Sequence, residues 1–366
     1  MVTPDVRLEI GSERYGGWKR ISIRRALGRV AGTFDLNVTE RWPGQDVPRP
    51  IRPGAACRVL VDGEPVITGY VDDVRISCSA SEHSVTVRGR DKTGDLVDCC
   101  APSMQLAGAS LAVIARNLCA PFGIEVVDAA GAGSAGTGAV PGFKTNPGDT
   151  VFETLEQLAR AQGVFLTTDG EGRLVLARAG REKAATVLEF GKNVLESRGS
   201  FSMADRYSEI TVLGQTAASD TWDGAKASRQ KTVVRDAGVP RYRPLILIAE
   251  QEWQGANNRA QWEINTRYGK GNVASYTVYG WKDGERVWAP NVLADIRDSA
   301  LGLEVSWLVG DVNLTLDDQG YRAELTLSPA EAFEIAPIRP HRHRRGRRKK
   351  SSDVWPGAET STKGRD

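Results

Sequence analysis

Apolar and polar residues alternate along most of the first 97 positions, in short runs separated by turn residues. A period of two residues is typical of β-strands with one buried face, and no helical spacing interrupts it here. Asp62-Gly63 stands between two of these runs and favours a tight hairpin turn. Six or so short strands in ~95 residues predict a small barrel or sandwich. The runs are Val6–Ile10, Ile21–Ile23, Phe34–Val38, Cys57–Val61, Val66–Ile76 and Ser84–Arg88.

The same order of strands returns in the last third of the chain. Asp73 of the first stretch and Asp311 of the second lie 238 positions apart. A nearly constant offset over several strands indicates one β-domain that is present twice. Two similar domains in one chain let an odd-numbered ring of subunits imitate a ring of twice the symmetry. The aligned pairs are Phe34 with Tyr276, Pro53 with Pro290, Asp73 with Asp311 and Val85 with Leu325.

Helical spacing begins only after the first β-domain. Apolar residues recur at this spacing from Leu106 to Leu118, and a second helix is predicted after a cap at Asp149 or Thr150. A hairpin follows over residues 164–177, with a Gly-rich turn at its centre. These elements predict a compact α/β unit.

The second β-domain is interrupted by an insertion. Val194–Phe201 and Ile210–Gly214 are predicted as its opening strands, but its other strands resume only at Asn272. The residues between contain an extended segment and a polar helix, and such insertions usually lie on one rim of a barrel. The predicted units are a first β-barrel domain (1–103), an α/β domain (104–186), a second barrel domain (187–216 and 272–336), the insertion (217–271) and a basic tail (337–366).

The net charge of +2 combines a mildly acidic body with a strongly basic tail. Residues 337–366 hold ten Lys/Arg and three Asp/Glu, which gives +7 and leaves −5 for the rest. Such a block of like charge predicts a mobile segment. Its cations can neutralise nucleic-acid phosphates without reading sequence, or dock on an acidic protein surface. The candidate contact residues are Arg339, Arg342, Arg344, Arg345, Arg347, Arg348, Lys349 and Lys350.

Composition argues against a membrane or disulfide-stabilised protein. No apolar run approaches the ~18 residues of a membrane-spanning segment, and the first residues lack the features of a signal peptide. The five cysteines are an odd number without a CxxC pair, which favours reduced, mostly buried thiols over disulfides or a zinc site. We therefore expect folding in a cytoplasm, without cofactor or metal.

Candidate catalytic patterns are weak. Gly131–Gly136 matches GxGxxG, but Gly- and Pro-rich residues follow it instead of the helix that a dinucleotide site needs, which favours a loop. The three histidines are His83, in a turn, and His341 and His343, in the tail, so no fixed Ser-His-Asp or Cys-His site is predicted. Asp72-Asp73 and similar carboxylate pairs show nothing that suits glycan hydrolysis in particular. The sequence predicts no enzymatic activity.

Four stretches occur in a specific order: Gly89–Cys99, Tyr207–Gly214, Arg241–Pro244 and Trp288–Leu293. Together they resemble the Mu-like baseplate hub proteins of contractile-tailed bacteriophages. The resemblance covers nearly the whole chain, including the basic tail. This family is similar in architecture to the T-even phage hub and to the N-terminal part of the type VI secretion spike.

The resemblance implies a mainly β fold with α+β insertions, in which two tube-like β-barrel domains per chain form a pseudo-sixfold ring in a homotrimer. Such a ring would join the sixfold tail tube to the threefold tail spike and enclose a channel for DNA. Implied partners are the spike, the tube, baseplate wedge proteins and, transiently, phage DNA. The implied location is the virion baseplate after assembly in the host cytoplasm, and no catalytic residues are implied. The alternative is a DNA-binding or DNA-handling accessory protein that acts through its basic tail.

Overall fold

A computed structural model describes residues 3–38, 51–79, 83–131, 139–213, 231–248 and 256–333. It is mainly β, as predicted. The strands are β1 (Val6–Ile10), β2 (Glu13–Tyr15), β3 (Arg20–Ala26), β4 (Thr33–Val38), β5 (Ala56–Val61), β6 (Glu64–Cys78), β7 (His83–Asp91), β8 (Gln105–Ala109), β9 (Val126–Asp128), β10 (Val140–Lys144), β11 (Phe165–Thr168), β12 (Leu174–Ala177), β13 (Leu188–Glu189), β14 (Val194–Phe201), β15 (Glu209–Leu213), β16 (Lys231–Arg235), β17 (Pro244–Ile248), β18 (Asn272–Tyr279), β19 (Lys282–Asp283), β20 (Arg286–Val287), β21 (Leu293–Asp298), β22 (Leu303–Asp317) and β23 (Gly320–Ser328). The helices are α1 (Gly94–Asp98), α2 (Leu111–Cys119), α3 (Val151–Ala161) and α4 (Ala256–Lys270), with 3-10 helices at Ala120–Phe122 and Ala330–Phe333.

One 13-stranded sheet holds strands from both ends of the chain. Its order is β14-β18-β23-β22-β3-β4-β7-β6-β5-β1-β2, and β21 pairs with both β22 and β13. The two halves join where β22 pairs antiparallel with β3, from Asp311 opposite Ala26 to Leu316 opposite Ile21. Within the described residues this sheet stays open, and the strands predicted for two barrels share it. The reason is that β22 is long enough to pair with β21 at its start and with β3 at its end.

Each half contributes five antiparallel strands in the same order, which we call the first and second β copies. The first copy is β3-β4-β7-β6-β5 and the second is β14-β18-β23-β22-β21. A β-bulge interrupts β6 between Val71 and Asp73, and another interrupts β22 between Val309 and Asp311. Because a bulge adds one unpaired residue at a defined point, its recurrence fixes how the copies correspond. Asp73 therefore corresponds to Asp311, as the sequence predicted.

The predicted matches of Phe34 with Tyr276 and of Val85 with Leu325 are both wrong by two residues. Once the bulges are aligned, Val87 of β7 corresponds to Leu325 of β23. These residues pair with Leu36 and Tyr276, so Leu36 is the counterpart of Tyr276. Every second residue of a strand faces the same side, so a two-residue slip keeps the apolar pattern and cannot be detected from it.

The repeated Pro-Gly and Pro-Asn pairs form equivalent turns. Gly54 and Asn291 both adopt positive φ, at 82° and 71°. The Gly54 backbone N–H donates to the Val71 carbonyl at 2.7 Å, and the Asn291 N–H donates to the Val309 carbonyl at 2.9 Å. Glycine adopts this left-handed conformation freely and asparagine tolerates it. The turn therefore limits both positions to these residue types.

The α/β unit has its own core. Helices α2 and α3 pack together beside the small sheet β11-β12-β9. A capping box starts α3: the Thr150 hydroxyl accepts from the Glu153 N–H at 3.1 Å, and the Glu153 carboxylate accepts from the Thr150 N–H at 2.9 Å. Leu106 lies in β8 and not in the predicted helix, because Gly108 within that strand adopts φ 64° and α2 begins only after its N-cap, Ser110.

The insertion forms a separate three-stranded sheet, β16-β15-β17. Helix α4 covers one face of it, and Ile210 and Val212 are fully buried there with Ala260 and Ile264. The predicted assignment of the strand at Ile210 to the second β copy is therefore wrong, and the insertion includes β15 and the residues just before it instead of beginning at residue 217. Its apolar side chains pack against α4 and not against the shared sheet.

Two of the cysteines are buried. Burial raises the pKa of the Cys57 and Cys119 thiols to about 12. Cys99 and Cys100 are exposed, and the side chain of Cys78 is outside the described part. Mostly buried cysteines were expected, and Cys99 and Cys100 depart from this because both follow α1 at the surface.

Candidate assembly surface

The motif at residues 89–99 joins the first β copy to the α/β unit. Gly89 lets β7 approach β6, since a Cβ at this position would lie 2.1 Å from a carbonyl oxygen of β6. Arg90 bridges Asp72 and Asp98 at 2.8 and 2.7 Å. Its hydrogen bond lowers the pKa of Asp98. This motif therefore has a structural role that requires its glycine and its arginine.

Asp91 of the same motif is only 2% exposed. It accepts hydrogen bonds from the backbone N–H groups of Gly32 and Thr93, at 2.5 and 2.9 Å, and from the Thr93 hydroxyl. Burial raises the pKa of Asp91. Burial lowers the pKa of Arg25, and the nearby charge of Asp91 opposes that shift. The carboxylate thus connects the residues before β4 to those before α1.

The motif at residues 288–293 joins the α/β unit to the second β copy. Trp288 is 1% exposed. The Asn291 side chain accepts from the Gly180 N–H at 2.7 Å and donates to the Arg178 carbonyl at 3.2 Å. The end of the α/β unit is therefore attached to the turn that precedes β21.

The remaining two motifs meet within the insertion. The Arg243 guanidinium lies 5.3 Å from the centre of the Tyr207 ring, and that of Arg267 lies 5.0 Å from it. Cation–π contacts of this kind stabilise by ~0.5–2 kcal/mol. All four motifs thus hold parts of the fold together, and the contacts described for them are with other parts of this chain.

At the outer ends of the two β copies, two edges have no strand partner within the described part of the chain. One is the end of β6, from Asp73 to Cys78, beyond its pairing with β5. The other is the outer edge of β14 from Glu196 to Phe201. Both carry exposed apolar side chains: Ile76 is 62% exposed and Phe201 is 52% exposed. An open strand edge with apolar side chains marks a place where another chain can pair.

The polar side of the shared sheet carries paired charges of both signs. Asp35 contacts Arg88 at 2.6 Å, and Asp73 contacts Arg75 at 2.7 Å. Exposed pairs of this type contribute only ~0–1 kcal/mol each. Their main consequence is a polar surface without a block of one charge along these strands.

A groove of about 750 Å³ lies between α3, α4 and the bulge of β22. Its charged lining residues include the ion pairs of Arg160 with Glu156, at 2.6 Å, and of Arg267 with Glu263, at 2.7 Å. Across the described ranges, no three His, Cys, Asp or Glu side chains come together as potential metal ligands. The groove therefore presents charged groups of both signs.

The tail residues predicted as contact sites lie outside the described residues, as do His341, His343 and most of the GxGxxG match at 131–136. Among the described helices, none is long and apolar enough to cross a membrane. The tail residues concerned are Arg339, Arg342, Arg344, Arg345, Arg347, Arg348, Lys349 and Lys350.

Family models match four successive stretches. Residues 5–91 match the Mu phage baseplate assembly protein GpP-like N-terminal domain, and 93–178 match the second domain of gp44-like baseplate hub proteins. Residues 206–261 match the third domain of NMB1110-like tail proteins, and 253–336 match the fourth domain of the Mu protein GpP. The chain is 35% identical over 357 residues to the baseplate hub protein gp44 of Escherichia phage Mu, which covers 93% of this chain and 92% of that protein. The chain belongs to the Mu-like baseplate hub family.

Solved structures place this hub protein among phage tail proteins. The 43 kDa tail protein of prophage MuSo2 from Shewanella oneidensis is 35% identical, with a TM-score of 0.80 over 90% of this chain and 99% of that one. A type VI secretion system component from E. coli, 12% identical, has a TM-score of 0.56 over 91% of this chain and 79% of that one, a likeness of fold alone. The predicted resemblance is confirmed.

Proposed function

We propose that this hub-family chain is a structural baseplate hub that works as a homotrimer. The observation that carries this proposal is the five-strand unit that occurs twice with the same bulge. Three chains with two copies each present six similar units around one axis, so a threefold assembly can meet a sixfold partner. In this proposal no single chain closes a barrel. The barrel forms only in the ring, where the open sheet of each chain joins its neighbours at both edges.

The proposed ring joins the sixfold tail tube on one side to the threefold tail spike on the other, with baseplate wedge proteins around it. It encloses a channel for DNA, and its place is the virion baseplate after assembly in the host cytoplasm. The polar side of the shared sheet suits the channel wall, because mixed charges avoid strong attraction to phosphates. In this proposal the chain is not an enzyme. The two β copies, the α/β unit and the insertion with β15 are parts of one scaffold.

The trimer should be visible in solution. Light scattering should give about three times the chain mass of 39.7 kDa, alone or with the spike partner. In a phage that lacks its hub gene, the wild-type chain should restore complete particles. A chain that stays monomeric with and without the spike would contradict the trimer, and complete particles without any hub would contradict the hub role.

For the tail, we propose contacts with phosphates or with an acidic partner surface during assembly. Deletion of residues 337–366 should leave the trimer intact, because the described core ends before them, and should lower particle yield or infectivity. A tail of the same residues in shuffled order is the matched control, since binding by charge alone does not depend on their order. Loss of the trimer would assign the tail a structural role, and unchanged infectivity would show that it is dispensable.

A further inference from the structure

The chain contains one internal example of how its β copies join. In that example the end of β22, in the second copy, pairs with β3 of the first copy. Leu314 and Ile23 face each other there and are 1% and 0% exposed. The corresponding edges at the outer ends of the two copies have no partner within the described residues. They are the end of β6 and the outer edge of β14.

We propose that β14 of one subunit pairs antiparallel with residues 73–78 of β6 in the next subunit, in the register that β3 and β22 already show. This inference rests on the trimer proposed above and specifies its contact. The occupant of each free edge is a second copy of this chain. The internal junction supplies the reason, because the same two edge types already bind each other once in every chain.

The register follows from the pairings of the two copies. Ile21 of β3 pairs with Leu36, and Ser197 of β14 pairs with Tyr276. Since Leu36 corresponds to Tyr276, Ile21 corresponds to Ser197. The aligned bulges in β6 and β22 likewise show that Arg75 corresponds to Asn313. The resulting contacts between subunits are Val74 opposite Phe201, Arg75 opposite Ser200, Ile76 opposite Gly199 and Ser77 opposite Arg198.

The side chains at this register are complementary. Ile76, the counterpart of Leu314, is 62% exposed and lies opposite Gly199, the counterpart of Ile23. The Phe201 ring lies over Gly199, with its Cε2 atom 2.7 Å from where a Cβ would be. Ile76 of one subunit can therefore pack against the Phe201 ring of the next, which covers the position where Gly199 has no side chain. Two exposed apolar residues become buried together.

Charges on the other side of these strands are compatible with the pairing. Arg75 faces Ser200 and Ser77 faces Arg198, so no like charges lie directly opposite each other. Arg75 and Arg198 lie diagonally across the two strands, and each already forms an ion pair within its own chain. Asp73 contacts Arg75 at 2.7 Å, and Glu196 contacts Arg198 at 2.6 Å.

The contact is head-to-tail, because two different edges meet. Such an interface leaves one edge of each type open until a ring closes. In a closed ring, the end of β6 and the outer edge of β14 are both paired in every subunit. This also accounts for the exposed Ile76 and Phe201, which would otherwise favour uncontrolled pairing.

Cysteine cross-linking tests the register. The variant R75C/S200C is made in a background with Cys78, Cys99 and Cys100 changed to serine, while the buried Cys57 and Cys119 stay. Directly opposed residues lie within the range of a disulfide, whereas diagonal ones do not. Mild oxidation should therefore link subunits in R75C/S200C and yield a covalent trimer in a denaturing gel. The diagonal variant S77C/S200C and either single cysteine should give at least tenfold less product.

A positive control comes from the internal junction. Arg24 and Asn313 face each other at the positions that correspond to Ser200 and Arg75, so R24C/N313C should form a disulfide within one chain and no larger product. Stronger linking of S77C/S200C than of R75C/S200C would overturn the register. A trimer by light scattering without a link in either variant would overturn the pairing of β14 with β6 and leave the proposed hub function intact.

Discussion

Ile76→Lys should convert the trimer into monomers of 39.7 kDa at micromolar concentration. In the proposed contact, the substituted side chain would place an ammonium group against Phe201 of the next subunit. Burial of an unpaired charge costs several kcal/mol, and the substitution affects every interface of the ring. Ile76 is 62% exposed in the single chain, so circular dichroism and thermal unfolding of the monomer should change little.

Ile246→Lys is the matched control. Ile246 is 66% exposed and also lies in a strand, β17, but on the small sheet of the insertion. It should therefore leave the trimer mass unchanged in light scattering. If both variants stay trimeric, Ile76 is not in the interface. If both become monomeric, the effect is a general one of added charge.

Mixing two edge variants gives a sharper result. Ile76→Lys blocks the β6 edge and leaves β14 intact, whereas Phe201→Lys blocks β14 and leaves β6 intact. Each should be monomeric alone, but together they retain one complete contact and should form a dimer that contains one chain of each type. A mixture that stays monomeric would show that these two edges do not bind each other.

Much of the fold follows from the alternation of apolar and polar residues. The strands of the first β copy, the repeat and the α3 cap all have local signals, such as Asp62-Gly63, where both residues adopt positive φ in the structure. Register does not have such a signal, because period-two alternation is unchanged by a shift of two residues. The sequence also could not show which sheet the strand at Ile210 joins, because its apolar pattern suits both the shared sheet and the small sheet of the insertion.

The candidate assembly surface could not be found from the sequence. Val74 and Ile76 continue the apolar alternation of β6 and look like ordinary core positions. Their counterparts Val312 and Leu314 have the same pattern and are both 1% exposed. Only the strand pairing distinguishes them, since β22 has β3 beside it and the end of β6 has no such neighbour in the described part. The family motifs, in turn, point to the joints within the chain and not to the surface between chains.

The second large effect is expected inside the insertion, at the buried ion pair of Arg206 and Asp236. Their side chains are 7% and 6% exposed, with Nη2 of Arg206 2.8 Å from Oδ2 of Asp236. The other carboxylate oxygen accepts from the Gly238 N–H at 2.8 Å, and the guanidinium lies 4.9 Å from the centre of the Tyr268 ring. This pair connects the segment before β15, the end of β16 and helix α4.

Asp236→Ala should destabilise the small sheet by about 3–5 kcal/mol, because it leaves a buried guanidinium without its counter-charge. The measurement is amide hydrogen exchange in β15, β16 and β17, which isolates this sheet from the rest of a chain that does not unfold in one step. Glu209→Ala is the control: it removes the acid from an ion pair of similar length, 3.1 Å, in which Arg235 is 77% exposed. It should cost about 1 kcal/mol or less.

The double variant R206M/D236L separates the loss of the pair from the cost of leaving one charge alone. Replacement of both partners by apolar groups of similar volume is often neutral or stabilising. The amide exchange rates of the double variant should therefore be close to those of the wild type. Those of the single variant D236L should remain high. If the double variant exchanges as fast as D236L, the contribution of this site is the hydrogen bonds to Gly238 and the stacking on Tyr268. In that case the ion pair positions those contacts and does not merely neutralise a buried arginine.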